Sequence, residues 1–137
     1  MSVIKAKTFK EQYVVADPNG ETTTWKPDDF WKMAFDNDHP KNNSQMGYLI
    51  SEFSFDTDWD SWEMHPHGDE VVFCKSGFLT FILELENQQK VIDLKPGEYL
   101  IVPQNTWHTA KVSKPTSAVF ITWGFGTQNR KTEEQSE

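Results

Sequence analysis

A chain of 137 residues with a formal net charge of −8, six Trp, ten Phe and three Tyr is sized for one soluble domain, with enough aromatic bulk to fill a core or line a cavity. Acidity without any basic cluster argues against nucleic acid as a partner, and no stretch approaches the roughly 20 apolar residues of a membrane span. The opening MSVIKAKTFKEQ has no apolar secretion run and the lone Cys74 cannot form an internal disulfide, so the expected compartment is the cytoplasm and the expected partner a small molecule.

In chain order, the first predicted element is a short helix in PDDFWKMAF. Pro27 suits the first helical position, Asp28 and Asp29 suit the first turn, and Phe30, Trp31, Ala34 and Phe35 are expected to share a face. His39, in DNDHPKNN, reads as a loop residue. From Gly47 onward the pattern changes to short strand-like runs separated by turn signals: YLISEFSF, SWEMH, EVVFCKS, FLTFILELE, KVIDLK, EYLIVP, HTAKVS and SAVFITW. Alternation in FLTFILELE predicts a buried face of Leu79, Phe81, Leu83 and Leu85, opposite Phe78, Thr80, Ile82, Glu84 and Glu86. Turns are expected at Asn87 to Gln89, Lys95 to Gly97, Pro103 to Thr106 and near Pro115. The tail QNRKTEEQSE lacks an apolar anchor and is expected to fray. Eight short strands need a closure that hides their edges, which a double-sheet jelly roll or small barrel provides.

The chemistry concentrates in WEMHPHGDE, Trp62 through Glu70. With Ser61 to His65 extended, Glu63 and His65 project to one face, and a turn over Pro66 to Asp69 returns the chain with Glu70 heading the next strand. His108 in VPQNTWHTA, after a proline turn, is the partner from a distant strand. A divalent first-row metal accepts imidazole nitrogen and carboxylate oxygen together and keeps positions open for substrate or dioxygen. The competing reading of His65, Glu70 and His108 is a hydrogen-bonded polar cluster. Glu63 has three readings: ligand, general base with a raised pKa, or acceptor for a ligand imidazole.

These residues resemble the cupins, whose first motif is G(x)5HxH(x)3–4E(x)6G. Its second half is met by Glu70 and Gly77 in EVVFCKSG. The second motif, G(x)5PxG(x)2H(x)3N, is met by Gly97, Pro103 and His108 in GEYLIVPQNTWH, with Asn105 at the second glycine and Val112 at the final asparagine. The longer spacing puts Glu63 and His65 where the family carries its two histidines and leaves His67 in the turn as a rim residue. A shorter loop would instead make His65 and His67 the pair. The resemblance covers about Ser51 to Trp123. It implies an all-β, single-domain cupin jelly-roll barrel over residues 46–126, with residues 1–45 an N-terminal arm packed on it and residues 127–137 a flexible tail. It further implies a homodimer and a divalent transition metal (Fe, Mn, Ni or Zn) held by His65, Glu70, His108 and Glu63, with Glu63 as the catalytic candidate.

Around such a centre, His67, Cys74, Trp107 and Trp123 are candidates for a substrate pocket, joined by Phe53, Phe120 and Tyr48. Cys74 shares the parity of Glu70, though a small buried apolar side chain is its alternative. Gly124 and Gly126 suggest a close turn beside the mouth, and Arg130 is either a solvated tail residue or a contact for an anionic ligand. The run DTDWDSWEMHPH fails as a calcium loop, because position six is Ser61 and position twelve is His67. The resulting expectation is a metal-dependent enzyme of oxygenase, isomerase or decarboxylase type acting on a small organic molecule. The alternatives are a non-enzymatic small-molecule-binding cupin with a degenerate site, and a storage or interaction role with an empty barrel.

Overall fold

The structure, a computed structural model, describes residues 4–132. Its first elements are β1 (Tyr13–Ala16), β2 (Thr22–Trp25), α1 (Pro27–Ala34), β3 (Tyr48–Phe55), β4 (Ser61–Met64) and β5 (Glu70–Ser76). There follow β6 (Leu79–Leu85), β7 (Gln88–Leu94), β8 (Tyr99–Val102), β9 (His108–Val112), β10 (Thr116–Thr122) and β11 (Gln128–Lys131). Six strands form one sheet in the order β2-β1-β3-β10-β5-β8 and five form the other in the order β11-β4-β9-β6-β7, with antiparallel pairing throughout. This is a jelly-roll sandwich, as expected from the strand pattern. Among the described residues no helix is long and apolar enough to cross a membrane.

The sheets face each other across one core. Val72, Val102, Ala118 and Phe120 come from the larger sheet, and Leu79, Phe81, Leu83, Leu94 and Ala110 from the smaller. The predicted alternation of β6 explains its share, since Leu79, Phe81 and Leu83 are buried while Thr80, Ile82 and Glu84 are not. Trp59, in the link before β4, packs its ring against Phe55, Phe81 and Phe120 at centroid distances of 6.0, 5.6 and 6.0 Å. Its backbone N–H donates to the Ala110 carbonyl at 3.0 Å. The tight passage from β5 to β6 depends on Gly77, whose φ is +87°. A Cβ there would collide with the Thr116 hydroxyl and the Pro115 carbonyl.

A second core lies under α1, where Phe30 and Met33 pack on Tyr13, Val15 and Leu49. Val15 pairs with Leu49, and Leu49 with Thr122, so the larger sheet is covered on one face by two layers, the smaller sheet and α1. Phe53 lies between them, 5.9 Å from Tyr13 and 5.8 Å from Phe120. The helix face differs from expectation. Met33 turns inward beside Phe30, while Trp31 and Phe35 stack on each other at 6.0 Å on the solvent side.

Three strands depart from the sequence reading. β1 and β2 turn part of the expected N-terminal arm into sheet, with Thr22, Thr23 and Thr24 as β-branched edge residues. At the other end, residues 128–131 do not fray: β11 pairs with β4, Gln128 opposite Met64 and Lys131 opposite Ser61. Its anchor is not apolar burial but Arg130, which ion-pairs with Glu84 and stacks on Trp62 and Trp107. Residues 133–137 of the expected tail lie outside the described residues.

Candidate metal centre

Four side chains meet at one end of the sandwich. Glu63 on β4 is the register partner of His108 on β9, and His65 follows β4 by one residue. Glu70 opens β5 opposite Thr122 on β10. Donor atoms of Glu63, His65 and His108 all lie within 4.8 Å of one another. Glu70 reaches both imidazoles, its Oε2 3.4 Å from His65 Nε2 and its Oε1 3.3 Å from His108 Nε2. Glu63 Oε1 stands 3.9 Å from His65 Nε2, and its side chain is 34% exposed where the other three are buried. The cluster is therefore closed on three sides and open at Glu63.

The far sides of these groups are fixed. His108 Nδ1 lies 2.9 Å from the Thr106 carbonyl; a carbonyl only accepts, so Nδ1 carries a hydrogen and, in the neutral ring, Nε2 carries the lone pair. Thr122 donates its hydroxyl to Glu70 Oε2 at 2.6 Å. With both rings neutral, His65 Nε2, Glu70 Oε1 and His108 Nε2 are then buried without a hydrogen-bond partner, which is costly unless a proton on an imidazole or a metal cation sits among them. Two imidazoles and carboxylates suit a divalent first-row metal, so the residues present fit the ion that the motif implies.

Electrostatics agree with a site built for positive charge. Burial pushes Glu70 up, but the two adjacent imidazoles outweigh it and hold its carboxyl at about 2. Burial pulls His108 down, but Glu70 beside it and the Thr106 carbonyl outweigh that and raise it. Burial and the neighbouring Glu70 charge push Glu63 up. These shifts set a pH window for the metal-free protein. Glu70, lowered from 4.5 to about 2, contributes stability that is complete above about pH 4.5 and lost as pH falls toward 2. His108, raised from 6.5, contributes stability that is complete below about pH 6.5 and lost as pH rises through its folded value. Glu63, raised from 4.5, adds stability that is complete below about pH 4.5 and lost as pH rises through its folded value. Urea midpoints of metal-free protein should accordingly climb from about pH 2 to about 4.5 and decline above about 6.5; a midpoint that keeps rising toward pH 8 would contradict the assignment.

Local backbone explains how His108 arrives. Asn105, where the motif has glycine, adopts φ +64°, a left-handed conformation that asparagine tolerates better than most residues. Its N–H donates to the His65 carbonyl at 3.0 Å, tying the His108 turn to the end of β4.

The remaining candidates are placed differently. His67 stacks on Phe125 at 5.9 Å and lies against Gly126. Cys74 is fully buried in the apolar core. Trp107 does not face the cluster either. It packs on Arg130, which is also against Trp62, the residue that alternates with Glu63 on β4. Trp123 meets Tyr48 edge-on at 5.0 Å and packs against Gly68. Arg130 thus has an intramolecular partner in place of an anionic ligand, and His39 sits in its loop, its Nδ1 accepting from Lys41 N–H. Sequence reasoning missed Thr122, whose inward parity on β10 was a usable signal. It also missed Thr127 and Trp59, for which no local signal existed.

Comparison with known proteins points the same way as the fold. The family model described as the cupin domain matches residues 54–124, just over half of the chain. Peruvianin-I, a cysteine peptidase from Thevetia peruviana latex, is 20% identical over 61% of this chain and 56% of its own, with a TM-score of 0.51. Hydroxypropylphosphonic acid epoxidase from S. wedmorenis is 14% identical over 56% of this chain and 44% of its own, with a TM-score of 0.50. A cupin superfamily protein from Desulfitobacterium hafniense is 28% identical over 55% of this chain and 65% of its own, with a TM-score of 0.44. The chain thus covers less than two thirds of each of these structures, and the first two likenesses are of fold. No functionally curated protein matches the sequence.

Proposed function

The chain belongs to the cupin-domain family, and from that premise we propose that it is a metal-dependent enzyme of oxygenase, isomerase or decarboxylase type acting on a small organic molecule, with one divalent ion held by His65, His108 and Glu70, and Glu63 as fourth ligand or base. The observation that carries this reading is the set of three buried donor atoms, His65 Nε2, His108 Nε2 and Glu70 Oε1, that face one another unpartnered. Two imidazoles with carboxylate oxygen resemble iron or manganese centres more than zinc-only structural sites. When bound, such an ion supplies Lewis acidity and open positions for substrate oxygen or dioxygen.

The chain's own residues supply the rest. His65 and His108 are oriented through Nδ1, and Glu70 offers Oε1 while Thr122 holds Oε2. Where Glu63 is not a ligand, its part-exposed carboxylate at the open side, with a raised pKa, takes or returns a proton. Trp59, whose ring lies 6.3 Å from His108, closes the apolar side against water.

Metal-free protein purified without a metal-affinity step and loaded anaerobically with Fe(II), Mn(II), Ni(II) or Zn(II) should bind about one ion per chain. Failure to retain any of the four ions would end the reading.

The outer face of the larger sheet supports a partner surface. Cross-strand rows Tyr99, Phe73, Val119 and Ile101, Val71, Ile121 run over it, with Tyr99 65% and Ile101 50% exposed beside β8, an edge strand. Two copies paired through this face form the proposed cytoplasmic homodimer. The variant Ile101→Glu should sediment as a monomer at concentrations where the wild type is dimeric; a monomeric wild type at about 100 µM would reject the pairing.

A further inference from the structure

We infer that Thr127 is a positioning residue of this centre, setting the tautomer of His65, and that β11 is the element that holds it in place; the inference rests on the metal-binding reading above. The Thr127 hydroxyl lies 2.8 Å from His65 Nδ1 and 2.7 Å from the Gly124 carbonyl oxygen. A hydroxyl has one hydrogen, and the carbonyl has none to give. Thr127 therefore donates to Gly124 and accepts from His65 Nδ1–H. That chain of two hydrogen bonds leaves the neutral His65 ring with its lone pair on Nε2, the atom aimed at Glu70 and Glu63. Without the hydroxyl, nothing on that side distinguishes the two tautomers, and the one with Nε2–H cannot accept a metal.

The position of Thr127 is built, not incidental. Its own N–H also bonds to the Gly124 carbonyl at 3.0 Å, closing a turn in which Gly126 has φ +79°. The next residues pair with the strand that leads to His65, Gln128 opposite Met64 and Asn129 opposite Glu63. Beyond them Arg130, between Trp62 and Trp107 and ion-paired with Glu84, clamps β11 to the outer face, and Thr132 N–H reaches the Asp60 carbonyl at 3.2 Å. A residue outside the family match thereby completes the centre.

The test compares Thr127→Val and Thr127→Ser with wild type, using Zn(II) alone as the probe in competition with a chromogenic chelator. Loss of an outer hydrogen-bond partner typically weakens metal affinity by about 10- to 100-fold, so Thr127→Val should bind Zn(II) at least about tenfold more weakly. Thr127→Ser, which keeps the hydroxyl, should stay within about threefold. Two-bond proton–nitrogen correlations of the metal-free protein at about pH 8 give a second readout: His65 should be Nδ1–H in wild type and Thr127→Ser, and lose that fixed form in Thr127→Val. Equal Zn(II) affinity in Thr127→Val and wild type overturns the inference, as does a Thr127→Ser variant as weak as Thr127→Val. A wild type that binds no Zn(II), Fe(II), Mn(II) or Ni(II) overturns the metal-binding reading instead. The His65 correlations still decide the tautomer in that case, because they require no metal.

Discussion

Replacing His108 by alanine is expected to abolish metal retention, taking the bound ion from about one per chain to under about 0.1 when metal content is measured after loading and desalting. The imidazole is fully buried, is paired in register with Glu63, and stands 3.3 Å from Glu70 Oε1, so no water-exposed side chain can replace it. The change also leaves the buried Glu70 with a single imidazole neighbour. Breaking a buried charged pair by removing one partner costs about 3–5 kcal/mol, and urea unfolding of the metal-free variant below about pH 6.5, where His108 is charged, should show a loss of that order. His67→Ala is the contrast, because its ring rests on Phe125 outside the cluster. It should keep about one ion per chain. Equal metal content in His108→Ala and wild type would remove the centre from this protein.

The second large effect belongs to Trp59. Truncating a packed aromatic side chain to alanine costs about 3–5 kcal/mol, the cavity left behind adding to the lost transfer energy. Trp59 is only partly buried, so the expected loss is at the lower end, about 3 kcal/mol by urea denaturation. Four rings surround it, Phe55, Phe81, Phe120 and His108, and collapse of one into the vacated space disturbs the others. Metal content should survive, since Trp59 offers no donor to the ion. A cost under about 1 kcal/mol would show that the ring does not fill the interior.

What the sequence revealed of this molecule divides along a physical line. Strands whose burial pattern is local were legible: Leu79, Phe81 and Leu83 announce β6 by alternation, and the links at Asn87 and Gly97 announce their turns through residues that tolerate positive φ. The four clustered side chains were also legible, since Glu63 and His65 share strand parity and the motif spacing sets Glu70 and His108. Elements defined by a distant partner were not legible. QNRK carries no apolar residue, and it becomes a strand because Trp62, Trp107 and Glu84, from three other segments, receive Arg130. Thr127 acquires its role only once β11 is docked. For Cys74, parity with Glu70 specifies a face of the sheet but not the depth along it; four residues further on, that face lies in the apolar core, the alternative of a small buried side chain.

The division of one sheet face between two unequal coverings has a consequence for cooperativity. The helical layer with β1 and β2 contributes its own small cluster and is tied to the sandwich by the β1–β3 ladder, by Leu49 and by Phe53, so the N-terminal third is expected to open by breaking that one ladder while the remainder stays intact. Amide protons of residues 13–16 and 22–25 would then exchange by partial opening, at a lower free energy than those of β5, β6 and β10, which open only with the whole molecule. Binding of an ion between β4, β5 and β9 would widen that gap, slowing exchange in the sandwich and leaving the N-terminal layer at its original rate.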